Sequence, residues 1–271
     1  MKEIHFYKMN GAGNDFVVID NRDLSLSLSK SEIEQLCDRH RGVGADGLLA
    51  VEPATGDAAY KFRYYNADGG EAEMCGNGAR CFARFVSHLP DEIPAEVSFE
   101  TIVGDLSAKI LGENILIDLS EPFDLEQNLA LSIPSGEFVV DSINTGVPHV
   151  VLFVDDVDAI DVVKMGAEIR YHEHFAPAGT NVNFAQIVSN KHLKIRTYER
   201  GVEDETLACG TGMTACALIH NLKTNELGPI AIDVKGGDTL AIDFTRNDAT
   251  LFGNVTLTGP ADFVFEGDIV I

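Results

Sequence analysis

Basic residues are scarce in this chain: 20 Lys and Arg stand against 43 Asp and Glu, a formal charge of −23. Such a surface repels phosphate backbones and anionic lipid, so neither nucleic acid nor a membrane surface is an expected partner. The acidic residues come in small scattered groups rather than a tail, which reads as a solvated surface. No apolar run approaches the roughly 18 residues of a spanning helix. Behind Met1 come Lys2 and Glu3 with no long apolar stretch, so no secretory leader is visible. The five cysteines are an odd number, which argues against a secreted disulfide framework and for a reducing cytoplasm. No Cys-x-x-Cys pair occurs, so a thiol-redox centre of that type is excluded. The closest cysteine pairs, Cys75/Cys81 and Cys209/Cys216, are also spaced too widely for a structural zinc site. One Gly-x-Gly-x-x-Gly match, Gly42 to Gly47, follows a helical stretch and precedes a strand. That is the wrong context for a dinucleotide site and reads as a turn. His172 and His174 flank Glu173, but residues two apart do not share a helix face. No metal and no cofactor is expected.

What the chain does have is one motif twice. Cys75-Gly76-Asn77-Gly78 and Cys209-Gly210-Thr211-Gly212 both read Cys-Gly-x-Gly, and both precede apolar residues at helical spacing. Each predicts a cysteine at the mouth of a helix. The unpaired N–H groups there favour negative charge, so they stabilise a thiolate and can hold a carboxylate. The two cysteines lie 134 positions apart (209 − 75), close to half of the 271 residues. Other segments repeat at nearly the same offset. Gly13 to Val18 lines up with Gly146 to Val151, Asp46 with Asn181, and Lys61 to Asn66 with Lys194 to Glu199. A constant offset over several segments indicates an ancient duplication, with two similar domains related by a pseudo-two-fold axis. Such an axis is expected to bring both helix mouths to one cleft, where two thiols flank a substrate carbon. Inversion at that carbon needs one group to remove a proton from one face and another to deliver one to the opposite face.

Strands are expected at 3–9, 16–20, 48–51, 60–65, 97–101, 106–111 and 115–119, then at 138–143, 150–154, 182–188, 193–198, 230–234, 239–244, 250–257 and 263–271. Helices are expected from Ser29 or Ser31 to about Arg39, from Cys75 to about His88 with Pro90 as the stop, over Ala159–Tyr171, and from Cys209 to about Leu222. The expected fold class is α+β: two pseudo-symmetric domains, each a sheet or barrel wrapped around a central helix, with the active site in the cleft between them. The expected boundaries are 1–117 with the C-terminal strand 258–271 for the domain of Cys75, and 118–257 for the domain of Cys209. Cys37, Cys81 and Cys216 fall on apolar helix faces and are expected to be packing residues.

Several segments together, in order and nearly end to end, resemble the diaminopimelate epimerase family of pyridoxal-phosphate-independent amino-acid epimerases. They are Lys8 to Phe16, Arg39 to Gly47, Asn66 to Gly69, Cys75 to Cys81, Tyr198 to Gly201 and Ala208 to Gly212. The resemblance implies conversion of LL-2,6-diaminoheptanedioate to the meso form by a thiolate/thiol pair, Cys75 and Cys209, with no cofactor. It implies that His149 and Glu199 set the charge balance of that pair. Substrate contacts fall to Asn14, Asn66, Gly76, Asn77, Asn181, Glu199, Arg200, Gly210 and Thr211. Arg200 suits a distal carboxylate through its bidentate fork. The resemblance further implies a homodimer formed through a region including the C-terminal segment, where Phe265 replaces a more usual tyrosine. Val147 stands where family members usually carry asparagine, and some carry glutamine at the position of Gly47. Two rival readings stay open: a proline or hydroxyproline racemase-type enzyme of the same fold, and a non-catalytic thiol-containing binding protein. The first has no need of Arg200 and three asparagines; the second would be expected to lose one cysteine.

Overall fold

Each half of the chain is built around one helix that is buried on nearly every side. The computed structural model describes residues 2–72, 75–89, 93–248 and 251–271. The chain divides into two units, Met1–Ile117 with Thr258–Ile271, and Asp118–Leu257. Unit 1 contains β1 (Glu3–Gly11), β2 (Asn14–Asp20), α1 (Lys30–Cys37), β3 (Gly47–Glu52), β4 (Tyr60–Asn66), β5 (Glu71–Ala72), α2 (Gly76–Val86), β6 (Glu96–Thr101), β7 (Gly104–Leu111) and β8 (Asn114–Asp118). Unit 2 contains β9 (Phe123–Ile133), β10 (Gly136–Asn144), β11 (Pro148–Phe153), α3 (Val162–Arg170), β12 (Asn181–Ser189), β13 (His192–Glu199), β14 (Asp204–Thr206), α4 (Gly210–Thr224), β15 (Ile230–Asp233), β16 (Thr239–Arg246) and most of β17 (Phe252–Pro260), whose last three residues fall in unit 1. The last strand, β18 (Asp262–Val270), belongs to unit 1.

The pairing scheme of one unit repeats in the other. β1 runs antiparallel to β2, and β10 to β11. β2 and β3 are parallel, as are β11 and β12. The antiparallel pair β3 and β4 matches β12 and β13, and the parallel pair β4 and β6 matches β13 and β15. β18 flanks β1 as β9 flanks β10. Helix α2 packs on β1, β2, β3, β4 and β7; α4 packs on the equivalent five, β10, β11, β12, β13 and β16. A helix so enclosed must be apolar or internally satisfied all round. Phe82 accordingly meets Phe62 and Phe99, both with ring centroids 5.1 Å away. The smaller helices cover the outer faces. Ile33 and Leu36 of α1 pack with Ile4, Val17 and Leu48, while Val162 and Ile169 of α3 pack with Val150, Val182 and Phe184.

The expected α+β class and its four helices are present, and the differences are local. Ser29 is the N-cap of α1, closed by a capping box with Glu32, and the helix stops at Cys37 rather than Arg39. Helix α3 begins at Val162, not Ala159, because the Asp161 side chain accepts from the Lys164 N–H and restarts the chain after a short 3-10 turn. Helix α4 runs to Thr224, where Asn225 closes it in the left-handed conformation. The expected stop at Pro90 and the start of the 250–257 strand at Thr250 lie outside the described residues. Strand β9 is absent from the sequence reading. Its alternation is broken by left-handed Asp124 and Asn128 and by register shifts against β10, and most of its side chains face water. The short strands β5 and β14 were likewise not expected. Among the described residues no helix is long and apolar enough to cross a membrane.

Candidate active site

Cys75 and Cys209 are the N-cap residues of the two central helices. Their backbones are nearly superimposable in conformation, with φ −138° and ψ 120° at Cys75 and φ −129° and ψ 109° at Cys209. In each, the cysteine carbonyl accepts the first helical bond, from Ala79 and from Met213. Neither side chain caps its own helix. Each cysteine residue directly precedes the first-turn N–H groups of Gly76, Asn77 and Gly78 in unit 1, and of Gly210, Thr211 and Gly212 in unit 2, where the Cys209 sulfur lies 3.3 Å from the position a Gly212 Cβ would take. Four such groups lack intrahelical partners at any helix start, and they carry partial positive charge.

The mouth in unit 1 is held by a network of full charges. Lys8, buried in β1, donates to the Gly44 carbonyl and pairs with Asp15 at 2.7 Å. Arg39 grips both oxygens of Asp15, at 2.8 and 2.7 Å, and reaches Asp46 at 2.7 Å. Burial raises the Asp15 carboxyl, but hydrogen bonds and charge from Arg39 and Lys8 outweigh it and hold the group well below the usual carboxylate range. Asp46 in turn accepts from Asn14 Nδ2 at 3.0 Å, and Asn14 Oδ1 accepts from Asn77 Nδ2. Fully buried Arg80 donates to Asn77 Oδ1 and to the Gly11 carbonyl. A side chain at Gly11 would strike the Asn77 carbonyl at 2.8 Å, so only glycine lets this loop lie against the helix mouth. Asn66 lies at the end of β4, exposed, and accepts from Tyr64 Oη at 2.7 Å.

The mouth in unit 2 is held by neutral groups. His149, fully buried at the start of β11, sits 2.8 Å from Thr211 Oγ1 through Nε2 and 3.1 Å from Asn183 Nδ2 through Nδ1. Thr211 Oγ1 lies 3.5 Å from Cys209 Sγ. Burial pushes the His149 imidazole down to about 3, and the Arg200 charge acts in the same direction, so the ring is neutral at physiological pH. Asn181, also buried, donates to the Pro148 carbonyl at 3.0 Å and accepts from the Arg200 N–H at 2.8 Å. Its amide thus makes one bond at each end within unit 2. The Arg200 guanidinium reaches the Ala178 carbonyl at 3.3 Å and is partly exposed. Glu199, next to it, is half-buried, and burial pushes its carboxyl up.

Unit 1 thus brings Cys75, Gly76, Asn77 and Asn14 together, and unit 2 brings Cys209, Gly210, Thr211 and His149 together. Lys8, Asp15, Arg39, Arg80 and Asn183 were not singled out by the sequence reading. Arg80 alone carries a signal, a cation between the apolar neighbours Ala79 and Cys81, although Arg84 on the same helix carries the same one. Cys37, Cys81 and Cys216 are buried packing residues, and burial pushes the thiols of Cys37 and Cys81 up to about 11 and about 12. Among the described residues no group of three His, Cys, Asp or Glu side chains is arranged to hold a metal ion.

The duplicated α+β fold is shared with solved proteins of low sequence identity. A phenazine biosynthesis protein of the PhzF family from Bacillus anthracis matches over 100% of both chains with a TM-score of 0.74 at 16% identity. A hydroxyproline epimerase from Agrobacterium vitis matches over 99% of this chain and 91% of its own, with a TM-score of 0.71 at 15% identity. The fold and the paired helix mouths define a two-domain protein of this structural class. Within it, a model of the diaminopimelate epimerase family matches residues 6–122 and again 142–264. The diaminopimelate epimerase of Aquifex aeolicus is 43% identical, covering 97% of each chain. The chain belongs to the diaminopimelate epimerase family, and it is an isomerase.

Proposed function

We propose that this enzyme converts LL-2,6-diaminoheptanedioate to the meso isomer without a cofactor, using Cys75 and Cys209 as its two acid–base groups. The observation that carries this reading is the matched pair of cysteine N-caps, supported by the 43% identity to a diaminopimelate epimerase. The α-hydrogen of an amino acid is very weakly acidic. Its removal needs preorganised dipoles aimed at the carboxylate where charge develops. The first-turn N–H groups of α2 and α4 suit that task, as they need no reorganisation when charge appears. One cysteine, as thiolate, takes the α-hydrogen; the other, as thiol, returns a proton to the opposite face. At the end of a turnover the two have exchanged protonation states, and they exchange back when the reaction runs in reverse.

The remaining site residues divide the work. Asn14 and Asn77 present amide groups beside the unit 1 mouth, with Asn66 near the end of the same sheet. Arg200 holds the distal carboxylate, and Glu199 beside it accepts from the distal ammonium. Asn181 acts by holding the Arg200 backbone. His149 and Glu199 together bias the ionisation of the thiol pair. Supporting a homodimer are Phe263, Val264, Phe265 and Val270 of β18, all exposed. A cytoplasmic setting, with neither nucleic acid nor membrane as partner, agrees with the acidic surface and the odd cysteine number. The test is proton NMR in D₂O with LL-diaminopimelate after exhaustive chelation. Loss of the α-hydrogen signal together with appearance of the meso isomer is expected. Dependence on added zinc or pyridoxal phosphate would overturn the reading.

A further inference from the structure

Asn183 lies fully buried on β12, and its hydrogen bonds fix its orientation. Its Nδ2 is 2.9 Å from the Val150 carbonyl, which can only accept, and its Oδ1 accepts from Thr197 Oγ1 at 2.9 Å. The second hydrogen of Nδ2 therefore points at His149 Nδ1, 3.1 Å away. A nitrogen that accepts there cannot carry a proton, so in the neutral ring the proton sits on Nε2. That N–H faces Thr211 Oγ1 at 2.8 Å. A hydroxyl that accepts from His149 turns its own hydrogen toward Cys209 Sγ, 3.5 Å away. The fit allows nothing larger at the helix mouth: a side chain at Gly212 would meet Asn183 Oδ1 at 2.3 Å.

We propose that Asn183 is a positioning residue that locks His149 in its Nε2–H tautomer, so that Thr211 relays a donor onto the sulfur of Cys209. In the resting chain no proton changes owner: Nε2–H donates to Oγ1, and Oγ1–H donates to Sγ. When Cys209 is thiolate, the last bond becomes charge-assisted and strengthens, and the hydrogen bond behind it polarises in the same direction. Thr211 then has a role in its hydroxyl as well as in its backbone N–H. The equivalent contact in unit 1 has no such direction, since it runs from Asn77 to the Asn14 oxygen and on from Asn14 to Asp46. This inference rests on the reading of Cys209 as an acid–base group. Its first test uses no substrate, so it can fail while the epimerisation stands, or hold if the epimerisation fails.

The experiment is nitrogen NMR of the full chain labelled with ¹⁵N-histidine at neutral pH, with His149 assigned as the ring whose signals vanish in His149→Gln. A pyridine-type Nδ1 and a protonated Nε2 are expected. An Nδ1–H tautomer or an imidazolium would overturn the inference. Asn183→Asp, which puts a pure acceptor at Nδ1, should move the ring to the Nδ1–H or imidazolium form; an unchanged ring would refute the role of Asn183. The relay is read from alkylation of Cys209 at fixed pH in the Cys75→Ala background, followed by peptide mass. Thr211→Val should slow it at least about tenfold, the effect of losing a charge-assisted hydrogen bond, and Thr211→Ser should keep the parent rate. Equal rates for Val and Thr would sink the relay. If Asn183→Asp does not fold, the wild-type spectrum and the Thr211 pair still decide.

Discussion

The two helix mouths share a backbone and differ in what surrounds it. In unit 1 the loop beside Cys75 is clamped by four full charges, Lys8, Asp15, Arg39 and Asp46, and the contact to α2 is one amide on another. In unit 2 the same place holds a neutral buried histidine, a threonine and an asparagine. A duplication preserves what the helix N-terminus needs: a cysteine N-cap, glycines and an enclosing sheet. It leaves the supporting side chains to diverge. The outcome is one mouth supported by a network of full charges and one supported by neutral groups that include a buried imidazole. Two identical halves would give two cysteines of identical acidity, whereas the pair proposed above is a thiolate and a thiol, different species that benefit from different surroundings.

The largest expected effect erases the equivalence altogether. Cys75→Ala and Cys209→Ala should each lower epimerisation by about a thousandfold, within the range of a lost acid–base group. Each surviving thiol should still exchange the α-hydrogen of the one stereoisomer that presents it, so the two variants should prefer opposite isomers. Deuterium uptake into LL- and meso-diaminopimelate measures this, and substantial epimerisation by either variant would refute a two-base mechanism. Arg200→Ala comes next. Only unit 2 carries a cation at this place, since Ala67 follows Asn66 in unit 1. The variant should lose about ten- to a hundredfold in kcat/KM for diaminopimelate, as expected for a charge-assisted contact of about 1.5–3 kcal/mol. Normal turnover would remove Arg200 from the distal carboxylate and favour the proline racemase-type alternative.

Two smaller effects separate the supports. Lys8→Met strands one side of Asp15 in a largely buried pair while Arg39 remains, so it should cost about 2 kcal/mol of stability in a denaturant titration. His149 makes stability depend on pH in a known direction. Its folded value, about 3, lies below the ordinary 6.5, so between these the unfolded chain binds a proton that the folded chain refuses. The stability is full above about pH 6.5 and falls on acidification through that window, by about 1.4 kcal/mol per pH unit. His149→Gln should flatten the difference between neutral and mildly acidic melting curves by that slope. An identical acid dependence in the two proteins would show that the ring is not held neutral.

Most of the α+β architecture was legible because local rules decide it. A Cys-Gly-x-Gly stretch before apolar residues at helical spacing makes a helix start, and a repeat at constant offset makes a second copy of whatever the first folds into. The position of both cysteines at helix N-termini follows from those two facts. What the sequence could not reveal lies in long-range contact. Strand β9 is polar and bulged, and it is held by pairing with β10 rather than by a pattern of its own. Lys8, Arg39 and Asp46 are ordinary surface-type residues until the fold brings them onto Asp15 across 7, 24 and 31 positions of chain. Asn181 reads as a free amide donor in sequence, and only the folded chain ties its two ends to Pro148 and Arg200. Asn183 has no sequence signature at all. Its orientation is set by a carbonyl from β11 and a hydroxyl from β13, and the tautomer of His149 follows from that orientation. Composition and spacing determine which groups a chain owns and which local elements they begin. Which proton a buried ring carries depends on the donors and acceptors that surround it, and those are assembled only by tertiary structure.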